Sequence, residues 1–231
     1  MTTSAAQAFA DAAAAVVNQE DVADTLAKLL GKCAELTGHD ALGLLVRTGS
    51  GHIELLAATS HQATELELYQ LQHDEGPCLE SIGAGQVVTA VGEDEISVRW
   101  GLVGEAVLAA GFRSVYAAPL RWRGETIGGL NAFATSPHRL DPEQALLTQA
   151  FADVATIVIV QTATLSMEQL NSRISAALEG RTIVEQAKGV LAFLHDVDMP
   201  TAYRLLQTRA ADSNTTLSET AARIVARAAE R

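Results

Sequence analysis

Arg181, Lys188 and His195 recur at seven-residue intervals in the last quarter of this 231-residue chain. On a helix that interval gathers three cationic groups along one side. Such a stripe can contact phosphates, although a solvated charged face has the same pattern. Ile183, Ala187, Val190 and Leu194 have the three- and four-residue spacing of a separate, buried stripe. Gly189 follows Lys188 directly, in a place where glycine costs about 1 kcal/mol relative to alanine. Its missing side chain would let a second helix or a nucleic-acid backbone come close. Further along, Arg204 lies opposite the apolar side of its segment, Arg209 falls near Leu205 and Leu206, and Arg223 and Arg227 are four residues apart.

Cysteine chemistry is the other candidate. Cys78 follows Gly-Pro at an expected helix start, where the N-terminus favours a thiolate and so a redox role. Asp74, Glu75 and Glu80 oppose that charge, so a buried structural thiol is the simpler reading. His73 offers Cys78 a partner, but no third orienting group follows, and no catalytic residue is assigned. Cys33 and Cys78 are expected to be free thiols. Neither they nor the six histidines have metal-ligand spacing, and no metal site is expected. Trp100 and Trp122 read as core or interface aromatics. The "GAG" at 83–85 lacks the lysine and spacing of a phosphate loop.

The surrounding elements must place these groups. Residues 5–37 read as helix, with Val16, Val17, Leu26, Leu29 and Leu30 in its core. "ALGLLVR" and "HIELLAATS" form a hairpin across "TGSG". A helix "ATELELYQLQ", a loop with Cys78, a strand "VVTA", an acidic loop and a helix "GLVGEAVLAAG" follow. "SVYAAPLRWRGETIGGLNAFAT" is a second, largely buried hairpin. Asp141 and Pro142 start a long helix whose Leu147, Phe151, Val154, Val158, Leu170, Ile174 and Leu178 keep alternating three-four spacing. That spacing predicts a homodimer paired through residues 143–179. Asp198 caps the next helix, and Thr216 with Glu219 forms a capping box before the last.

Charge divides the chain. Residues 1–170 carry 8 Lys/Arg against 21 Asp/Glu, whereas residues 171–231 carry 8 against 7. Attraction to a polyanion must therefore come from the C-terminal part. The apolar runs "VATIVIV" and "ALGLLV" are far shorter than the roughly 20 residues of a membrane span. The first residues lack the pattern of a secretory signal, so a cytoplasmic location without membrane contact is expected.

The stretch "EQAKGVLAFLHDVDMPTAYRLLQTRAADSNTTLSETAARIV" closely resembles the ANTAR domain of bacterial transcription antiterminators. The resemblance is carried by "QAKG", by "AYRLL" with Ala210, by Asn214 and by the final "L-x-x-x-A". Upstream, "DEGPCLESIGAGQ", "GFRSVYAAPLRWRGETIGGLNAFA" and the helix after "LDPEQ" are similar to a GAF domain of the type joined to ANTAR in actinobacterial regulators. This implies an α+β chain. A GAF-like antiparallel sheet flanked by helices would occupy 1–165, and a long connecting helix with a three-helix ANTAR bundle 166–231.

The resemblance also implies RNA binding, with paired stem-loops in nascent transcripts as targets, antitermination as output, and DNA not expected. Arg181, Lys188, Gly189, Arg204, Arg209, Asn214 and Arg223 are the candidate RNA contacts. Basic residues frequent in similar proteins are replaced here by Gln207, Thr208, Thr215 and Thr216, which lowers the expected salt-dependent affinity. No cofactor is identified; the GAF domain would take an unknown small molecule over its sheet and pass the signal along the long helix. Two alternatives stay open: a protein-interaction module without RNA, and a Cys78-dependent redox enzyme of GAF fold.

Overall fold

A computed structural model describes residues 4–160 and 167–229. The N-terminal segment expected as one helix is two, α1 (Ala5–Val17) and α2 (Val22–Thr37). Gln19 at φ 56° ends the first, and the Asp21 side chain accepts the Asp24 N–H to start the second. Val17 is exposed as a result, whereas Leu26, Leu29 and Leu30 are buried.

The sheet holds β1 (Ala41–Arg47), β2 (Ile53–Ala58), β3 (Val88–Val91), β4 (Ser114–Trp122) and β5 (Glu125–Ala134), in the order β2-β1-β5-β4-β3. Every neighbouring pair is antiparallel, and both expected hairpins are present. Arg123 and Gly124, both at positive φ, make the two-residue turn between β4 and β5.

Two layers cover the sheet. On one face α1, α2 and α6 (Pro142–Val160) pack on Leu42, Leu44, Tyr116, Leu120 and Leu130. On the other lie α3 (His61–His73), α4 (Pro77–Ala84) and α5 (Glu93–Ala109). The acidic stretch expected as loop opens α5, where Glu93, Asp94 and Glu95 complement the helix N-terminus. This helix kinks at Trp100 and Gly101.

By length and composition α6 is apolar enough to cross a membrane, which the shorter runs read from the sequence did not disclose. Its Phe151, Ala152, Ala155, Val158 and Ile159 are buried in the sheet core, so it is read as a core helix.

The C-terminal helices are α7 (Met167–His195), α8 (Met199–Ser213) and α9 (Leu217–Ala229). The expected unbroken helix from 143 is therefore described as α6 and α7, with 161–166 outside the described residues. Phe151, Val158 and Ile174 are buried in the sheet core, and Leu147, Val154 and Leu178 pack against it. That seam is spent inside the chain; the Leu170 side chain lies outside the described residues. Both C-terminal caps form as expected: Asp198 accepts the Thr201 N–H, and Thr216 and Glu219 exchange bonds.

Candidate functional site

The bundle core consists of Val184, Ala187, Leu191, Ala202, Leu206 and Ala221. Of the stripe read from the sequence, Ala187 lies in this core and Ile183 packs against it, but the rest of the buried side of α7 is rotated from that stripe. Val184 and Leu191 point inward, whereas Val190 is half-buried and Leu194 exposed. Lys188 moves with this rotation and is only 2% exposed. Its Nζ donates to both carboxylate oxygens of Glu185, at 2.9 and 2.8 Å, and lies 5.3 Å from the centre of the Tyr203 ring. A desolvated ammonium is held only with such compensation.

The expected stripe therefore divides. Arg181 is half-buried, Lys188 is covered, and His195 is exposed, accepting at Nε2 from Arg209 Nη2 at 2.9 Å. Arg209 itself is exposed, as are Arg204, Arg223 and Arg227. Arg204 is steadied by Thr201 Oγ1 at 2.7 Å and Arg223 by Thr215 Oγ1 at 2.5 Å. Asn214 is exposed and occupies the left-handed position that ends α8, which gives it a structural duty as well. Gly189 is exposed and nothing lies within 4 Å of where its Cβ would be, so no described helix explains it.

Lys188 also lines a cavity shared with the sheet domain. The backbone N–H of Leu217, the first residue of α9, donates to Asp24 Oδ1 of α2 at 2.9 Å. Burial raises the Asp24 carboxyl above its ordinary value, and this bond lowers it again. One cavity is lined from the sheet side by Asp24, Leu55, Leu56 and His61, and from the helical side by Arg181, Glu185, Lys188, Tyr203 and Ser218. Within the helical side, Gly180 lets α7 and α9 come close, because a Cβ there would stand 3.1 Å from Ser218 Oγ.

Sequence reasoning did not find a second cluster, which lies within the sheet domain. Glu67 of α3 is fully buried; Asn131 Nδ2 donates to its Oε1 at 2.8 Å and Gln70 Nε2 to its Oε2 at 3.0 Å. Burial pushes its carboxyl up to about 8, although the Asn131 bond lowers it. Gly43, opposite Asn131 in the β1/β5 register, makes the room, since a Cβ there would collide with Glu67. Asn131 within an otherwise apolar strand was the available signal.

Cys78 belongs to this cluster, its N–H donating to Gln70 Oε1 at 3.1 Å. It is fully buried, and desolvation and then Glu67 push its thiol well above the ordinary range. This is the buried thiol read as the simpler case, and the alternative redox role has no accessible thiolate to act through. His73 is exposed and its ring packs at a tilt against Tyr69 instead. Cys33 is buried as well, its thiol pushed up to about 12 by burial. Trp100 is a core residue whose Nε1 donates to Glu80 at 2.9 Å.

Residues 21–159 match the family model described as the GAF domain, and residues 172–225 that described as the ANTAR domain. No curated protein matches the chain. Solved structures share the fold of its larger part. The phycoerythrobilin-bound GAF domain of a cyanobacterial phytochrome aligns at TM-score 0.51 and 13% identity, covering 70% of this chain and 96% of that one. The GAF domain of a phosphoenolpyruvate-protein phosphotransferase from Coxiella burnetii aligns at 0.52 and 14%, covering 67% and 92%. Its counterpart from Acinetobacter aligns at 0.50 and 12%, covering 78% and 97%.

Proposed function

Because this chain belongs to the GAF domain family and carries a C-terminal ANTAR domain, we propose that it is a cytoplasmic, non-enzymatic regulator that binds paired stem-loops in nascent RNA and prevents termination. In this reading residues 1–165 sense and residues 166–231 act. The division among the cations carries it: Arg204, Arg209, Arg223 and Arg227 face solvent, while Lys188 of the "QAKG" motif is turned toward the sensor. The exposed arginines supply phosphate contacts, and Gly189 leaves a bare patch of helix for a nucleic-acid backbone. The arrangement described is the closed state, and a signal in the GAF domain frees the module by shifting the equilibrium toward an undocked one. Homodimerisation belongs to the reading too. Leu146 and Ile157 remain exposed on the outer side of α6, and two joined modules gain effective concentration on a paired site.

The test is fluorescence anisotropy with a transcript of two adjacent short-looped hairpins, at two salt concentrations. Asp24→Ala, which removes the acceptor of the Leu217 N–H, should bind at least about tenfold more tightly than the parent chain, a change of about 1.4 kcal/mol. Lys188→Ala/Arg204→Ala in the Asp24→Ala background should lose that gain and flatten the salt dependence. Binding by none of the three sinks the RNA reading. Equal binding by all three sinks the closed state and the Lys188 and Arg204 contacts. One observation favours a protein partner instead: Phe193 on α7 is 86% exposed. If Phe193→Ser alone abolishes regulation in cells while RNA affinity is unchanged, that second reading prevails.

A further inference from the structure

We propose that the cavity between the sensor and the output helices is a binding site for a small oxyanion, a carboxylate or a phosphate, which bridges the two domains. The cavity measures about 60 Å³. A water needs roughly 10–15 Å³ on this measure, so the space suits a group of four or five heavy atoms.

Its polar lining is incomplete in a consistent way. His61 Nδ1 from the sensor and Ser218 Oγ from the output domain are both buried without a hydrogen-bond partner. Buried polar atoms are rarely left so, and two of them on one cavity point to a missing group. Arg181 supplies the charge. It is half-buried on the same wall, and among the described residues it has no hydrogen bond or close ion pair.

The other charges around the cavity are already engaged. Lys188 is bound to Glu185, and Asp24 receives the Leu217 N–H. Glu65 lies 3.4 Å from His61 Nε2, which leaves Nδ1 as the ring nitrogen without a partner. Burial lowers the Arg181 guanidinium below its ordinary value, and Glu185 and then Glu54 counter this without bonding to it. An oxyanion would take the guanidinium and the Ser218 hydroxyl as donors, and the hydroxyl of a hydrogen phosphate would donate to His61 Nδ1. Leu55, Leu56 and Ala27 supply apolar walls for the rest of the molecule.

Arg181 and Ser218 belong to the output domain and His61 to the sensor, so one ligand would tie the docked arrangement together. By linkage it would then weaken RNA binding. That consequence rests on the closed-state reading; the site itself does not.

Calorimetric titration of the full chain with inorganic phosphate, and separately with propionate, tests it. Saturable one-to-one binding of at least one anion is expected, with slower hydrogen exchange at the Leu217 amide. Arg181→Gln should weaken it at least about tenfold, and Ala27→Leu, which fills the cavity and keeps every polar group, should abolish it. Should Arg181→Gln fail to fold, as judged by its melting curve, Ala27→Leu decides. Preference for phosphate makes the natural ligand a phosphorylated compound, and preference for propionate an organic acid. No saturable binding of either anion, or unchanged affinity in the variants that fold, overturns the proposal. Because RNA is absent, the result stands whether or not the chain binds RNA.

Discussion

The sheet domain and the C-terminal bundle are built to different standards. The sensor sheet is packed on both faces, and its interior holds Glu67, Gln70 and Asn131 in a bonded cluster. The bundle core is a cluster of six buried apolar residues, half of them alanine, and the bundle borrows Asp24 to cap one of its helices. Small cores of this kind are marginal on their own. A sensor with the larger core and an output that leans on it give a simple means of control: whatever loosens the contact alters both the stability and the exposed surface of the weaker partner.

Core truncation is the hardest blow to that contrast. Phe133→Ala removes a buried ring stacked on Phe112 and should cost about 3–5 kcal/mol, unfolding sensor and bundle together in guanidinium. Leu206→Ala should cost about 2–5 kcal/mol in the bundle and leave the sensor transition in place, giving two steps by circular dichroism. A single shared transition in both variants would erase the distinction.

Acidity sharpens it next. Glu67 titrates at about 8 when folded against an ordinary 4.5, so the folded sensor holds a proton that the unfolded chain releases. Its contribution to sensor stability is then greatest below 4.5 and is lost as pH rises to about 8, with a slope approaching about 1.4 kcal/mol per unit. His39 acts in the opposite sense. Burial, and then His138, lower it to about 4 from 6.5, so its share is present above 6.5 and lost as pH falls toward 4. Between pH 6.5 and 9, above the range of His39, the fall in melting temperature should flatten in Glu67→Gln while the bundle is unaffected; an unchanged slope would remove Glu67 as the cause.

A smaller effect is expected at the join. Asp24→Ala should destabilise the bundle by about 1–3 kcal/mol and speed exchange of the Leu217 amide, with sensor amides unchanged. Smallest of all, Arg204→Ala and Arg223→Ala should move the melting temperature of neither part, each costing less than about 0.5 kcal/mol. Any effect of those two belongs to binding.

Local features were legible because local chemistry decides them. Asp198, the Thr216–Glu219 box and the Arg123–Gly124 turn each act through bonds or dihedrals within a few residues. The ANTAR resemblance was legible because its motif residues are spread along one unbroken stretch. The orientation of α7 was not, since both Lys188 and Val184 fit a helical stripe and only docking against Tyr203 and the sheet domain selects between them. Glu67 looked like a surface carboxylate in "ELELYQ" because its partner Asn131 is 64 residues away. The break at Gln19 carries neither glycine nor proline to announce it.

The strand order has one more consequence. β2 is an outermost strand of the sheet, and α7 packs against it in the docked arrangement. Undocking would leave a strand edge with unpaired backbone groups open to another chain, which is the usual starting point of aggregation. The active form would then be the one most in need of its RNA, and protein released without a transcript to bind would be the first to come out of solution.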